Sequence, residues 1–95
     1  MRQKSQTYLL NRAMKRLCLV AEANPFIARL LQLFAEKNGL AVKIMQVGQD
    51  VLVAARREKP VVIILDPELP GKLRRWDIIR QLKADTATNL IPLIA

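Results

Sequence analysis

Residues 60–70 read PVVIILDPELP, and this stretch decides the fold class of the chain. Val61 to Leu65 are apolar without alternation, rich in β-branched side chains and too few for a helix, so they predict a strand covered on both faces. Helices on both sides of a parallel sheet provide that environment. Asp66 follows at the carboxyl end of the strand, the edge at which open α/β sheets bind ligands. Because aspartate also starts turns, Asp66 alone does not define a site.

The remaining sequence alternates short apolar runs with amphipathic segments. Asn24 and Pro25 are typical of a helix start, and Gly39 is typical of a left-handed helix end. Lys43 and Gln46 interrupt the second apolar run, which favours a strand at the sheet edge. The pattern predicts an α/β fold with a doubly wound parallel sheet. The predicted strands are Leu17–Ala21, Leu40–Val47, Val61–Leu65 and Leu90–Ala95, and the predicted helices are Pro25–Asn38, Gly48–Lys59 and Arg75–Ala84.

Length and composition limit the class of protein. With 95 residues, 52% of them apolar, the chain is large enough for one small domain. No apolar run approaches the roughly 18 residues of a membrane span, so we expect a soluble protein with no membrane partner. The chain has no histidine and a single cysteine, Cys18. This composition excludes zinc sites, histidine catalysis and an internal disulfide, and it fits a cytoplasmic location.

Positive charge is concentrated at the amino terminus. The chain has a net charge of +8, and no acidic residue occurs before Glu22. Residues 1–15 are interpreted as a basic, flexible leader. Three roles remain open for it: a solubilising tail, an arm that binds nucleic acid or another polyanion, and an organelle-targeting peptide.

Two carboxylates occupy equivalent places in this pattern. Glu22 follows the first predicted strand, as Asp66 follows the third. If these strands are neighbours, their ends lie about 4.8 Å apart. The two side chains could then share a hydrated Mg²⁺ or a phosphoryl-bearing partner. The alternative is that each acid caps a nearby helix or turn.

Several segments, in order, resemble the receiver domain of two-component response regulators, the fold of the bacterial chemotaxis regulator. They are VAEANPF at 20–26, EKPVVIILD at 58–66, Leu69-Pro70, and RQLKADTATNLIPLIA at 80–95. The resemblance implies that residues 16–95 form a partial receiver domain of the flavodoxin-like type. It also implies the strand order 2-1-3-4, with the fifth strand and the last two helices missing.

The resemblance also implies a phosphoryl-transfer reaction. Asp66 would accept a phosphoryl group from a phosphohistidine donor, either a histidine kinase or a phosphotransfer protein. Mg²⁺ would be held by Glu22, Asp66 and the backbone carbonyl of Glu68, and it would neutralise the charge that develops during transfer. Such a domain is a phosphoprotein in signal transduction, and we do not expect it to be an enzyme.

The sequence departs from the family at several positions. Ala23 stands where the family has its second acidic residue, so we expect Mg²⁺ binding to be weak or lost. Pro67 replaces an apolar residue after the acceptor. The hydroxyl and lysine residues that the family uses would fall beyond Ala95. We therefore expect either a fragment of a longer regulator or a homo-oligomer that covers the open edge of the fourth strand.

Three functions compete. The first is a receiver module that accepts phosphate on Asp66 with weakened activity. The second is a phosphorylation-independent pseudo-receiver that acts as a protein-interaction, or dimerisation, module. The third is a nucleic-acid binder that uses the leader, Arg56-Arg57 and Arg74-Arg75. The chain lacks a helix-turn-helix signature and an aromatic platform, so we do not expect direct nucleic-acid binding as its main function.

Overall fold

The computed structural model describes residues 16–95, in which strands and helices alternate. The predicted leader, residues 1–15, lies outside the described residues. Within residues 16–95, none of the three helices combines the length and the apolar content that crossing a bilayer requires. The elements are β1 (Leu17–Ala21), α1 (Pro25–Lys37), β2 (Ala41–Met45), α2 (Gly48–Glu58), β3 (Val62–Leu65), α3 (Arg75–Ala84) and β4 (Leu93–Ile94).

The four strands form one parallel sheet in the order β2-β1-β3-β4. This order confirms the prediction of 2-1-3-4. β1 is central, because it pairs with β2 on one side and with β3 on the other. Its last residue, Ala21, lies opposite both Met45 and Leu65. The carboxyl ends of three strands therefore meet at one edge of the sheet.

Local sequence signals fix both ends of α1. The Asn24 side chain accepts hydrogen bonds from the amides of Phe26, at 2.9 Å, and Ile27, at 3.2 Å. Pro25 occupies the first turn, where its missing amide hydrogen removes no helical bond. At the other end Gly39 has a φ of +83°, and the Leu40 amide donates to the carbonyl of Ala35. Both predicted helix signals are confirmed.

The helices cover the two faces of the sheet unequally. On one face, α2 and α3 bury Leu19, Ile63 and Leu65 almost completely. On the other face α1 alone packs over Cys18 and Val20. Here the side chains of β3, Val62 and Ile64, remain only half-buried. The expectation that both faces of β3 are covered is thus wrong for the α1 face, because a single helix within residues 16–95 packs there.

Three predicted strands are longer than the structure has them, and β3 differs least, since it begins at Val62 rather than Val61. β2 spans Ala41–Met45 rather than residues 40–47, and its exposed Lys43 confirms the edge position. β4 is two residues long rather than the six predicted from Leu90. Residues 86–90 form turns instead, because the Asp85 carbonyl accepts from the amides of Thr88 and Asn89. The buried Thr88 hydroxyl also donates a 2.7 Å bond to the carbonyl of Leu82 and anchors this turn to α3.

Candidate functional site

Glu22 and Asp66 lie next to each other at the carboxyl edge of the sheet. The Asp66 amide donates to the carbonyl of Ala21 at 2.8 Å, which extends the β1–β3 pairing one residue beyond β3. The Glu22 amide donates to the carbonyl of Met45 at 3.0 Å on the other side of β1. The structure therefore brings together the two carboxylates that the sequence placed after strands one and three.

The Glu22 carboxylate is held by the start of α1. Its Oε2 atom accepts a 3.0 Å hydrogen bond from the Asn24 amide. Asn24 thus caps α1 with its side chain and fixes Glu22 with its main chain. The sequence indicated the first role of Asn24 but not the second, which depends on the conformation of the loop.

The Asp66 carboxylate organises the loop that follows β3. Its Oδ1 atom accepts a 2.9 Å hydrogen bond from the Glu68 amide, the geometry of an Asx-turn. Pro67, between them, restricts the backbone of this turn. The main chain of Glu68 consequently lies beside Asp66. The prediction concerned the Glu68 carbonyl, whereas the contact in the structure is made by its amide.

The pKa values of the two half-buried carboxyl groups are shifted in opposite directions. Burial raises the pKa of Glu22, and the neighbouring Asp66 carboxyl raises it further. The hydrogen bond from the Glu68 amide lowers the pKa of Asp66, since it stabilises the charged form. At this edge, Asp66 therefore ionises at a lower pH than Glu22 does.

The donors at this edge fit a hydrated Mg²⁺ ion. Glu22 and Asp66 offer hard carboxylate oxygens, and Mg²⁺ is commonly held by one or two carboxylates while it retains several waters. Ala23 lies between Glu22 and the cap of α1 and offers no side-chain ligand. Among residues 16–95, no group of three or more histidine, cysteine or acidic side chains converges on one point. A Mg²⁺ ion at this edge would therefore have two carboxylate side chains as ligands.

A cleft of about 420 Å³ lies along the loop between β3 and α3, which follows Asp66. Its walls include Glu68, Arg74, Arg75 and Trp76. The Arg75 guanidinium stacks over the Trp76 ring at 4.9 Å from the ring centroid. Sequence reasoning missed the cleft and the stacking, which the adjacent residues Arg74, Arg75 and Trp76 could have suggested.

Two glycines allow the loop to approach α2 closely. Gly71 has a φ of +118°, which other residues rarely adopt. The Gly48 amide, at the start of α2, donates to the carbonyl of Pro70 at 3.3 Å. A Cβ atom at Gly48 would lie 2.8 Å from Ile78 Cδ1, so α2 and α3 are in contact at this point. The loop that contains Asp66 is thus fastened to the buried core.

Comparison with known proteins gives relatives and structural neighbours. No protein-family model matches the chain. The chain is 36% identical over 76 residues to the protein PilH of Pseudomonas aeruginosa, a match that covers 80% of this chain and 62% of PilH. It is 29% identical over 82 residues to the DNA-binding response regulator MtrA of Mycolicibacterium smegmatis, covering 86% of this chain and 36% of MtrA. The chain therefore spans less than two thirds of these curated relatives.

A solved structure shares the fold. The receiver domain of a sensor histidine kinase from Pseudomonas aeruginosa matches with a TM-score of 0.77 at 22% identity, over 83% of this chain and 64% of that domain. That structure has a magnesium ion coordinated in its active site cleft.

Proposed function

The chain has the receiver fold of response regulators and its homologues and structural neighbours are receiver domains; from this premise we propose that it accepts a phosphoryl group on Asp66. The relationship supports a role in two-component signalling. The observation that supports phosphate acceptance is the position of Asp66, at the carboxyl end of a buried strand and beside a second carboxylate.

The proposed step uses the ionised Asp66 carboxylate as a nucleophile. The Glu68 amide holds Oδ1 and lowers the pKa of the group, which points to Oδ2 as the attacking atom. An Oδ2–P bond forms while the N–P bond of a phosphohistidine donor breaks, and the electron pair of that bond leaves with the imidazole. The product is an acyl phosphate on Asp66. In this role the chain is the acceptor of a group rather than an enzyme.

Mg²⁺ is the cofactor of the proposed reaction, bound weakly. A bound ion neutralises charge on the phosphoryl oxygens during transfer. Glu22 and Asp66 would hold it, together with the main chain at Glu68. Because Ala23 offers no oxygen, we propose an affinity below that of a receiver with a second acidic residue in this loop.

The donor, on this proposal, is a histidine kinase or a phosphotransfer protein in the cytoplasm. The single cysteine, Cys18, is free and buried in the structure, which suits a reducing compartment. Glu22 and Asp66 are each partly exposed, as a group that reacts with the histidine of a donor must be.

Phosphate acceptance is tested with a small phosphodonor, acetyl phosphate, in the presence of Mg²⁺. We expect the intact protein to gain the mass of one phosphoryl group, and we expect acid treatment to remove it. Asp66→Asn should abolish the gain, whereas Asp50→Asn, an exposed carboxylate of α2, should not. Absence of the adduct in the unmodified chain, or its persistence in Asp66→Asn, would contradict the proposal.

A second candidate function is protein interaction without phosphate. Ala23 supports it, since the loss of a ligand weakens the metal on which phosphoryl transfer depends. On this alternative, Asp66→Asn and removal of Mg²⁺ leave partner binding unchanged. Partner binding that requires both Asp66 and Mg²⁺ would favour the first function instead.

A further inference from the structure

The cleft along the loop between β3 and α3 is formed by one short stretch of chain. All of its walls come from residues 67–76, so neither Glu22 nor Asp66 lines it. Its volume of about 420 Å³ falls within the range of small-molecule sites, which is about 300–1,000 Å³. The cleft is therefore large enough for a small ligand, and phosphate acceptance on Asp66 does not use it.

The apolar part of the cleft is fixed to the core of the domain. Leu69 and Leu73 line the cleft and also pack against the buried cluster beneath α2 and α3. Between them, Gly71 has a φ of +118°, and a Cβ atom there would lie only 2.6 Å from Gln49 Oε1. The loop is held closely against α2 on this side. A cleft with fixed walls lowers the entropy cost of ordering the protein around a ligand.

Two arginines make the cleft suitable for an anion. Arg74 is exposed and Arg75 is half-buried, and both line the cleft. The ion pairs formed within residues 16–95 involve neither guanidinium group. Glu68 is the single acidic residue between positions 67 and 76, where Lys72 adds a third positive charge. Because a guanidinium group matches the geometry of phosphate oxygens, the expected anion is a phosphate group.

The aromatic wall of the cleft is available for stacking. Trp76 is 63% exposed, and the Arg75 guanidinium lies over its ring at 4.9 Å from the centroid. A cation at this distance interacts favourably with the indole, and it holds the flat ring beside the cleft. Nucleobases stack on such exposed aromatic side chains irrespective of base identity. The cleft therefore offers a stacking surface next to its positive charge.

We propose that this cleft binds a nucleoside phosphate, with its base stacked on Trp76 and its phosphate groups bound by Arg74. Glu68 would accept hydrogen bonds from the ribose hydroxyls. A free phosphate ion would leave the indole unused, and an uncharged aromatic molecule would leave the arginine unused. This inference goes beyond phosphate acceptance, because it requires neither Asp66 nor Mg²⁺.

The first experiment locates the site by NMR on the ¹⁵N-labelled chain of 95 residues, with ADP as the ligand and EDTA present. We expect saturable shifts at the amides of residues 69–76 and at the Trp76 indole, with a dissociation constant of about 10 µM to 1 mM. Adenosine and pyrophosphate each carry one half of the ligand, and each should bind at least about tenfold more weakly than ADP. Added salt should weaken ADP binding, because the arginine contact is electrostatic.

The second experiment tests the two named contacts by substitution. Trp76→Leu and Arg74→Ala should each weaken ADP binding by about fivefold or more. The matched control is Arg57→Ala, at an exposed arginine of α2 outside the cleft, and it should leave binding unchanged. Asp66→Asn should also bind ADP normally, which separates this site from phosphate acceptance. The NMR spectrum shows whether each variant is folded, and the comparison of ADP with its two halves needs no variant.

Four results would overturn the proposal. The first is the absence of any saturable shift at millimolar ADP. The second is a set of shifts confined to residues 1–15 or to Glu22 and Asp66, which would place ADP elsewhere. The third is pyrophosphate that binds as tightly as ADP, which would leave only a positively charged surface. The fourth is an equal loss of binding in Arg74→Ala and Arg57→Ala, which would assign the effect to net charge.

Discussion

The amide of Asp66 lies 2.8 Å from the carbonyl of Ala21 and donates a hydrogen bond to it, so the residue after β3 remains in register with β1. The main chain thereby sets the separation between Asp66 and Glu22. The amide of Glu22 is in turn hydrogen-bonded to the carbonyl of Met45. Side-chain substitutions at this edge should consequently change its chemistry while the sheet keeps its geometry.

Restoring an acid at position 23 should strengthen Mg²⁺ binding. Ala23→Asp adds a carboxylate ligand beside Glu22, and we expect the dissociation constant for Mg²⁺ to fall by roughly tenfold or more, which corresponds to about 1.4 kcal/mol or more. Trp76 is the single tryptophan and lines the cleft next to Glu68, so its fluorescence should report the titration. Ala23→Asn is the matched control without charge. Equal affinities for the Asp and Asn variants would show that position 23 does not reach the metal.

Glu22→Gln should stabilise the metal-free protein in a pH-dependent way. A raised pKa means that the folded state holds the Glu22 proton more tightly than the unfolded state does. The stabilising contribution of the protonated Glu22 is therefore fully present below its unfolded-state pKa and is lost as pH rises through its folded-state pKa. Glutamine does not lose a proton, and its oxygen can still accept from the Asn24 amide.

We expect the Gln variant to be more stable than the unmodified protein at about pH 7 and equal to it at about pH 3.5. Urea unfolding without Mg²⁺ measures both values. A difference that persists unchanged at the lower pH would assign the effect to packing rather than to charge.

The Cys18 thiol should be unreactive in the folded protein. It is 1% exposed in the central strand, and burial raises its pKa, so the nucleophilic thiolate is scarce. We expect a thiol reagent to label the native protein at least about a hundredfold more slowly than the protein in urea, because labelling requires opening of β1. Comparable rates in both conditions would contradict the central position of β1.

Gly48→Ala should destabilise the protein although alanine favours helices. The added Cβ would lie 2.8 Å from Ile78 Cδ1 and 3.2 Å from the carbonyl of Leu73. We expect a loss of about 1–3 kcal/mol from this overpacking. Ile78→Val removes the Cδ1 atom, so Gly48→Ala should cost less when the two substitutions are combined. Additive effects of the two substitutions, measured by urea unfolding, would place the strain elsewhere.

The sequence predicted correctly those helices and strands whose signals lie within a few residues of one another. The cap at Asn24, the Pro25 start and the Gly39 end each act within a few residues, and they place α1 to within one residue. The apolar run before Asp66 marks β3 for the same reason. The predicted start of β4 was wrong, because the hydrogen bond from the Thr88 hydroxyl to the carbonyl of Leu82, six residues away, keeps residues 86–90 in turns.

The candidate site was predictable in outline. Equivalent places after two strands were enough to pair Glu22 with Asp66, since parallel strands end at one edge. The opposite pKa shifts were not predictable, because they depend on partial burial, on the contact between the two carboxyl groups and on the Glu68 amide. Periodicity identified the apolar residues of α1 but could not tell which of them face the sheet.

The central position of β1 also determines how the backbone exchanges hydrogen with solvent. Amides of β1 are bonded between two strands, so deuterium should reach Leu19 and Val20 only when the whole domain opens. Within residues 16–95, β4 pairs with β3 alone, and its amides should exchange through a local opening that leaves the rest intact. Exchange rates in β1 therefore provide the global free energy of unfolding, and the ratio between β1 and β4 measures how cooperatively the fourth strand is attached.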